Sequence, residues 1–148
     1  MPRKILIDGT PGVDEAIALS MAFFHPELEV VAVTSTGGRL PEGTAARNLR
    51  GLIEFLGPSK YPRIGAGSGP SPEHRELWRD SDFLEDAGLP EFDRLAPCTA
   101  DRVMVEAVRS APHEVTIITC GPLTNLFRAF QRDPELPSLI RRVVITGG

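Results

Sequence analysis

Two rhythms of hydrophobic and polar positions alternate along the chain. "KILID", Lys4 to Asp8, is an apolar run of strand length closed by an acid, which reads as a buried strand. "DEAIALSMAFF" then sets Ala16, Leu19, Ala22 and Phe23 at helical spacing. "LEVVAVTST" is a second apolar run, closed by Gly37-Gly38. "TAARNLRGLIEFLG" places Leu49, Leu52, Ile53 and Leu56 on one helical face and ends in Gly57-Pro58, a helix stop. "YPRIGAG" predicts a short strand, "TADRVMVEAVRSAP" a helix capped by Thr99, and "EVTIITC" another strand. In "PLTNLFRAFQ", Leu123, Leu126, Phe127 and Phe130 are expected to form one apolar helical face, and "RRVVITGG" reads as a last strand. The four main strands are predicted near 4–8, 29–35, 115–119 and 142–146.

Strands alternating with helices predict an α/β domain with a mostly parallel, Rossmann-like sheet covered on both faces. One domain over 1–148 is expected, interrupted by a surface excursion over 67–97 that is rich in Gly, Pro and charge. Ligand sites in such sheets form beyond the carboxyl ends of the strands. A strand ending at Gly147-Gly148 with no helix after it suggests an architecture cut short.

Composition narrows the function classes more than it identifies one. The chain has 148 residues, 41% hydrophobic and 24% charged, with a net charge of −4, and its Lys and Arg residues are scattered. Nothing in this balance favours binding to nucleic acid or to an anionic membrane. The apolar run near the start stops after three positions, too short for a signal peptide. Cys98 and Cys120 form no CxxC pair. The expectation is a cytoplasmic protein with reduced thiols.

Candidate chemistry gathers at the predicted strand ends. Asp8 closes the first strand, and Asp14 and Glu15 stand adjacent on the first turn of the next helix. Three carboxylates so close must repel, and a cation, a polyhydroxylated ligand or ordinary helix capping could each offset it. Thr124 and Asn125, beside Pro122, could equally be first-turn capping residues. The "GTPG" loop fits neither GxGxxG nor GxxxxGK[ST], which argues against a dinucleotide or P-loop site. His25, His74 and His113 lie in turn or charged contexts and read as surface residues, Trp78 as an anchor for the long excursion.

Taken together, four segments resemble the inosine–uridine nucleoside hydrolase family. "ILIDGTPGVDEAIAL" is similar to its opening signature, I-x-D-x-D-P-G-x-D-D-A-x-A-L. "VVAVTSTGG" followed by "ARNLRGLIEFLG" resembles its second strand, A-G-N turn and next helix. "EVTIITCGPLTNLFRAF" resembles the family's T-I-x-x-x-G-P-L-T-N-x-A segment, and "RRVVITGG" the strand that follows. The resemblance implies hydrolysis of the N-glycosidic bond of a ribonucleoside to base and ribose, with a Ca²⁺ that binds water and the ribose 2′- and 3′-hydroxyls. By position, Asp8 corresponds to the signature's first acid and a metal ligand, Asp14 to the ribose-hydroxyl acceptor, and Glu15 to a metal ligand. Thr124 lies in the segment whose backbone carbonyl reaches the metal, and Asn125 next to it is expected at the substrate.

Departures from the signature imply weakened chemistry. Thr10 occupies the place of the family's general base, and a neutral hydroxyl cannot take a proton from water near pH 7. Glu15 stands for an Asp, and Arg39 for the asparagine of the A-G-N turn. The family's H-G-x-D-G-L is matched only by "LEDAGL", Leu84 to Leu89, without a histidine. Family members are about twice this length, so a metal carboxylate and a leaving-group histidine are expected to be missing. The sequence therefore predicts a nucleoside hydrolase domain with weak or absent catalysis and weak Ca²⁺ binding. Its rivals are an inactive relative binding a ribose-like molecule or a protein, one piece of a split enzyme, and an unrelated Rossmann-like module. A homo-oligomer is the expected assembly.

Overall fold

The computed structural model describes residues 1–10, 12–36, 42–67, 88 and 98–146. Its elements run β1 (Arg3–Gly9), α1 (Val13–Phe24), β2 (Leu28–Ser35), α2 (Glu42–Leu56), β3 (Arg63–Ala66), α3 (Ala100–Arg109), β4 (Thr116–Thr119), α4 (Thr124–Arg132), α5 (Leu136–Leu139) and β5 (Arg142–Ile145). Every predicted strand and long helix is present. The short α5 was not anticipated, because Pro134 and Pro137 on either side of Leu136 read as loop.

The five strands form one sheet in the order β3-β2-β1-β4-β5, and all four pairings are parallel. β1 pairs with β2 on one side and β4 on the other, with Asp8 level with Thr34 and Thr119. From β1 the chain steps outward through β2 to β3, then returns to β4 and steps the other way to β5. The loops after β1 and β4 thus leave adjacent strands in opposite directions, and a crevice opens between them.

Burial follows the side-chain period of a strand. Ile5 and Ile7 of β1 join Leu19 and Ala22 of α1 and Leu49, Leu52 and Ile53 of α2 in one core layer. Leu6 points the other way, into a layer with Val103, Met104 and Val108 of α3, Ile117 of β4, and Leu126 and Ala129 of α4. Arg109 of α3 clamps Asp133, just past α4, through Nε and Nη2 at 2.6 and 2.8 Å. No helix among the described residues is long and apolar enough to cross a membrane.

Two local expectations need correction. Thr99 does precede α3, but its side chain makes no capping bond to the helix; its backbone carbonyl accepts from the Val103 N–H. On α4 the inward face is Asn125, Leu126 and Ala129, with Phe130 partly buried against the same layer. Leu123 and Phe127 are exposed. A four-residue apolar pattern on a short helix admits two faces, and the polar Asn125 and small Ala129 take the inward positions that Leu123 and Phe127 were expected to fill. The 67–97 excursion lies outside the described residues apart from Gly67 and Gly88, as do His74, Trp78 and the two Gly-Gly pairs.

Candidate active site

Asp8 is the penultimate residue of β1 and is completely buried. A strand interior supplies it with neighbours on two flanks. Thr34 Oγ1 of β2 donates to Asp8 Oδ1 at 2.7 Å, and Asn125 Nδ2 of α4 donates to the same oxygen at 2.8 Å. The other oxygen, Oδ2, is buried with no partner. Burial pushes the Asp8 carboxyl up to about 6, against the two hydrogen bonds that favour its ionised form. A buried carboxylate oxygen without a donor is a defect in a finished core. Here it lies at the carboxyl end of a strand, where ligand sites form in such sheets.

The turn after β1 carries the other two acids. Gly12 opens α1, and its N–H donates to Glu15 Oε2 at 3.2 Å. Asp14 is exposed and Glu15 half-buried. Burial and a hydrogen bond shared with Asp14 push the Glu15 carboxyl up to about 7. Helix capping therefore accounts for part of Glu15 but does not relieve the repulsion between the pair. The same field reaches the residue just past β4, where burial raises the Cys120 thiol, a hydrogen bond with Thr146 opposes it, and the charges of Glu15, Asp8 and Asp14 add to the rise. The three acids and Cys120 consequently share one neighbourhood at the switch between β1 and β4.

The strand ends are tied to each other by short polar bonds. The Cys120 N–H donates to the Asp8 carbonyl at 2.7 Å and the Thr36 N–H to the Gly9 carbonyl at 3.0 Å. Thr10 is buried, and its Oγ1 donates to the Thr36 carbonyl at 2.8 Å. Gly121 passes so close that a Cβ there would stand 2.8 Å from Thr36 Cγ2. Thr124 is half-buried at the first position of α4. Asn125, expected at the substrate, is 1% exposed and commits its amide beneath the crevice, to Asp8 and to the Ser35 carbonyl at 2.9 Å. Arg39 lies outside the described residues.

Thr34 and Gly67 were not singled out from the sequence, whereas Ser35 opens the conspicuous stretch after the second strand. The signal was there in "TST" at the end of "VVAV", since hydroxyls ending an otherwise apolar buried strand need partners.

The donors match a hard cation in kind, being carboxylate and carbonyl oxygens. The unpartnered Asp8 Oδ2 is the observation that fits such an ion, and Glu15 adds a second carboxylate nearby. Among the described residues no three His, Cys, Asp or Glu side chains form a group that could hold a metal ion by themselves. The remaining positions of a six- to eight-oxygen shell would fall to backbone carbonyls, water or sugar hydroxyls.

Comparison with known proteins identifies the fold that carries these residues. Uridine nucleosidase 1 of Arabidopsis thaliana is 37% identical over 154 residues, covering 99% of this chain and 45% of its own length. The pyrimidine-specific ribonucleoside hydrolase RihA of Escherichia coli O139:H28 is 37% identical over 155 residues, covering 100% of this chain and 49% of its own. Among solved structures, the plant nucleoside hydrolase PpNRh1 superposes with a TM-score of 0.88 at 32% identity, over 100% of this chain and 48% of that one. An inosine-guanosine nucleoside hydrolase superposes with a TM-score of 0.83 at 28% identity, again over 48% of its chain. The chain spans about half the length of the curated relatives it matches. The family model of the inosine-uridine preferring nucleoside hydrolases matches residues 5–148, and with that match this chain belongs to the nucleoside hydrolase family.

Proposed function

We propose that this chain supplies the ribose-facing part of a nucleoside hydrolase site, addressed to the N-glycosidic bond of a ribonucleoside, with catalysis weak or absent. The observation that carries the reading is the bare Asp8 Oδ2 at the strand switch, beside Asp14 and Glu15. Asp8 and Glu15, with the Thr124 backbone carbonyl, would hold Ca²⁺, and Asp14 would accept a hydrogen bond from a ribose hydroxyl. Bound Ca²⁺ would supply charge that polarises water and the sugar hydroxyls. In the hydrolysis, a water oxygen bonds to C1′, the C1′–N bond breaks, and the base leaves with the bonding pair and takes up a proton. The water must lose its own proton, and here the chain is poorly equipped. Thr10 already donates its hydroxyl proton to the Thr36 carbonyl, so it serves the fold where a base would serve the reaction.

That bond favours a second reading, in which the pocket binds a ribose-like molecule without turning it over. Uridine is the first substrate to test, since two of the relatives are named for uridine and pyrimidine nucleosides. The free state of Cys98 and Cys120 supports a cytoplasmic setting. The experiment is an ultraviolet or reducing-sugar assay on uridine and inosine with excess Ca²⁺, paired with equilibrium binding of ribose and uridine. Ca²⁺-dependent binding without turnover is the expected result. Turnover abolished by Asp14→Ala would overturn the weak-catalysis reading, and no binding of either sugar compound would overturn the ribose-facing one.

A further inference from the structure

The acids of α1, Asp14 and Glu15, stand in its first turn, and from Ala16 to Phe24 the helix carries no charge on any side. Ser20 is the one polar residue in that stretch, and its hydroxyl donates back to the Ala16 carbonyl at 2.7 Å. Leu19 and Ala22 pack inward, while Ile17, Met21 and Phe24 run along the opposite side as an exposed ridge, Met21 at 70%. The outer sides of α2, α3 and α4 carry exposed charges instead, such as Arg47, Arg102 and Arg128. A helix that is apolar all round is ordinarily a buried one.

β5 is bare in the same way, although parallel strands are ordinarily covered on both faces. Val143 reaches the layer under α3 and α4, so by strand alternation Ile145 faces that side and Val144 the other. Val144 stands beside Ile118 of β4, which belongs to the layer under α1 and α2. Those helices pack on β2 and β3, and Val144 is left 40% exposed. The outer edge of β5 pairs with no other described strand.

We propose that the α1 ridge and β5 form one docking surface for the half of the nucleoside hydrolase fold that this chain's match leaves out, which extends the sheet along β5 and closes over Val144 and Met21. The plant enzyme PpNRh1 matches this chain over its whole length but with only 48% of its own, so a body of about equal size has to be placed against these elements. Single exposed apolar residues need no cover. A charge-free helix side and a bare parallel strand on one side of a sheet mark an interface. The inference rests on the family match and the exposed surface, and not on how the crevice holds a cation or a sugar.

The test co-expresses the tagged chain with the part of Escherichia coli O139:H28 RihA that it does not match, as a separate polypeptide, and measures how much co-purifies. Met21→Glu and Val144→Glu charge the surface at side chains that are already exposed, which spares the core. Phe55→Glu, at an exposed side chain of α2, is the control. Wild type and Phe55→Glu are expected to carry equal amounts of the RihA part. Each of the other two variants should carry about tenfold less, because an unpaired carboxylate would be buried at the contact. Sedimentation of the same samples should show any self-association of the chain giving way to a one-to-one complex. Capture unchanged by Met21→Glu and Val144→Glu would put the contact elsewhere and overturn the proposal, as would an equal loss with Phe55→Glu. No capture by wild type would also overturn it. A homodimer that persists in excess RihA part would make a second copy the occupant, and the proposal would fail.

Discussion

Asp8 and Asn125, 117 positions apart in sequence, meet through a 2.8 Å hydrogen bond that joins the end of β1 to the start of α4. The bond favours the ionised carboxylate, yet burial outweighs it and leaves Asp8 titrating near 6. The direction of the linkage follows. Below about pH 4 the carboxyl is protonated in both folded and unfolded chains and contributes nothing. Above about 6 it is ionised in both, and the folded state carries the full penalty. From 3.8 to about 6 is roughly two pH units, or about 3 kcal/mol. In chelator-treated protein, Asp8→Asn is expected to raise stability by an amount of that order at pH 7.5 and by little at pH 4. Urea unfolding at the two pH values decides it, and equal effects at both would contradict the buried-charge account.

A second linkage has the opposite sign. Arg109 lowers the Asp133 carboxyl below its ordinary range through a two-point hydrogen bond that ties α3 to the segment after α4. A depressed carboxyl stabilises the fold above its unfolded value, and the contribution disappears as pH falls through the folded one. Asp133→Asn is therefore expected to lower the urea midpoint at pH 7 and to match wild type in strong acid. A deficit that persists unchanged at pH 2 would mean packing, and not charge, is what the residue supplies.

How far the sequence could lead is clearest at these same residues. Ile5, Leu6 and Ile7 announced a strand buried on both faces, and the helical spacing of Leu49, Leu52 and Ile53 marked their shared face, because both periods are local properties of the backbone. Asp8, Asp14 and Glu15 could be grouped for the same reason, lying within eight positions of one another. The contacts of Asn125 could not be read this way. Its partners come from β1 and β2, and one sequence carries no sign of which distant oxygen an amide will reach. Thr10 could be read as standing at the place of the resemblance's base, but its tie to Thr36 could not be read, since the loop geometry exists only once the strands are paired.

The glycine after β3 offers a steric test of the same junction. A methyl group at Gly67 would fall within 2.1 Å of the Ser35 carbonyl oxygen and 2.4 Å of the Asn125 amide, neither of which can step aside without breaking its hydrogen bond. Overpacking of this kind typically costs about 1–3 kcal/mol. Gly67→Ala is expected to destabilise the protein by about that much in urea, whereas alanine at exposed Gly57 or Gly88 would suffer instead from their positive φ angles. An unchanged midpoint for Gly67→Ala would mean the junction is looser than its distances imply.

Exposed apolar side chains bear on assembly. Ile17, Met21 and Phe24 form a stripe along the outside of α1, and Val144 and Ile145 are uncovered on β5, which pairs only with β4 among the described strands. Apolar surface of this kind tends to become an interface. We expect self-association, most simply as a two-fold dimer, and sedimentation at micromolar concentration is the measurement. Met21→Glu should shift the distribution toward monomer if the α1 stripe is the contact. A monodisperse wild-type monomer would refute the expectation.

A carboxylate introduced at position 10 tests whether Thr10 limits turnover, as the proposed function has it. Thr10→Asp would restore a carboxylate at the strand switch, but it would also remove the hydroxyl that donates to the Thr36 carbonyl at 2.8 Å. The new acid would then face that carbonyl oxygen in a buried position, near Glu15, whose carboxyl is already pushed up to about 7. An ionised carboxylate could not donate to that carbonyl, and like charges with burial would instead hold the new carboxyl protonated, at a cost in stability near neutral pH and in the form that cannot act as a base. Thr10→Asp is therefore expected to be less stable than wild type and to show no hydrolysis of uridine or inosine above background, even with excess Ca²⁺. An ultraviolet assay on both proteins checks this, with Asp14→Ala in the Thr10→Asp background as the control for contaminating hydrolase. Turnover that appears with Thr10→Asp and vanishes with the added Asp14→Ala would show that one carboxylate was all the site lacked.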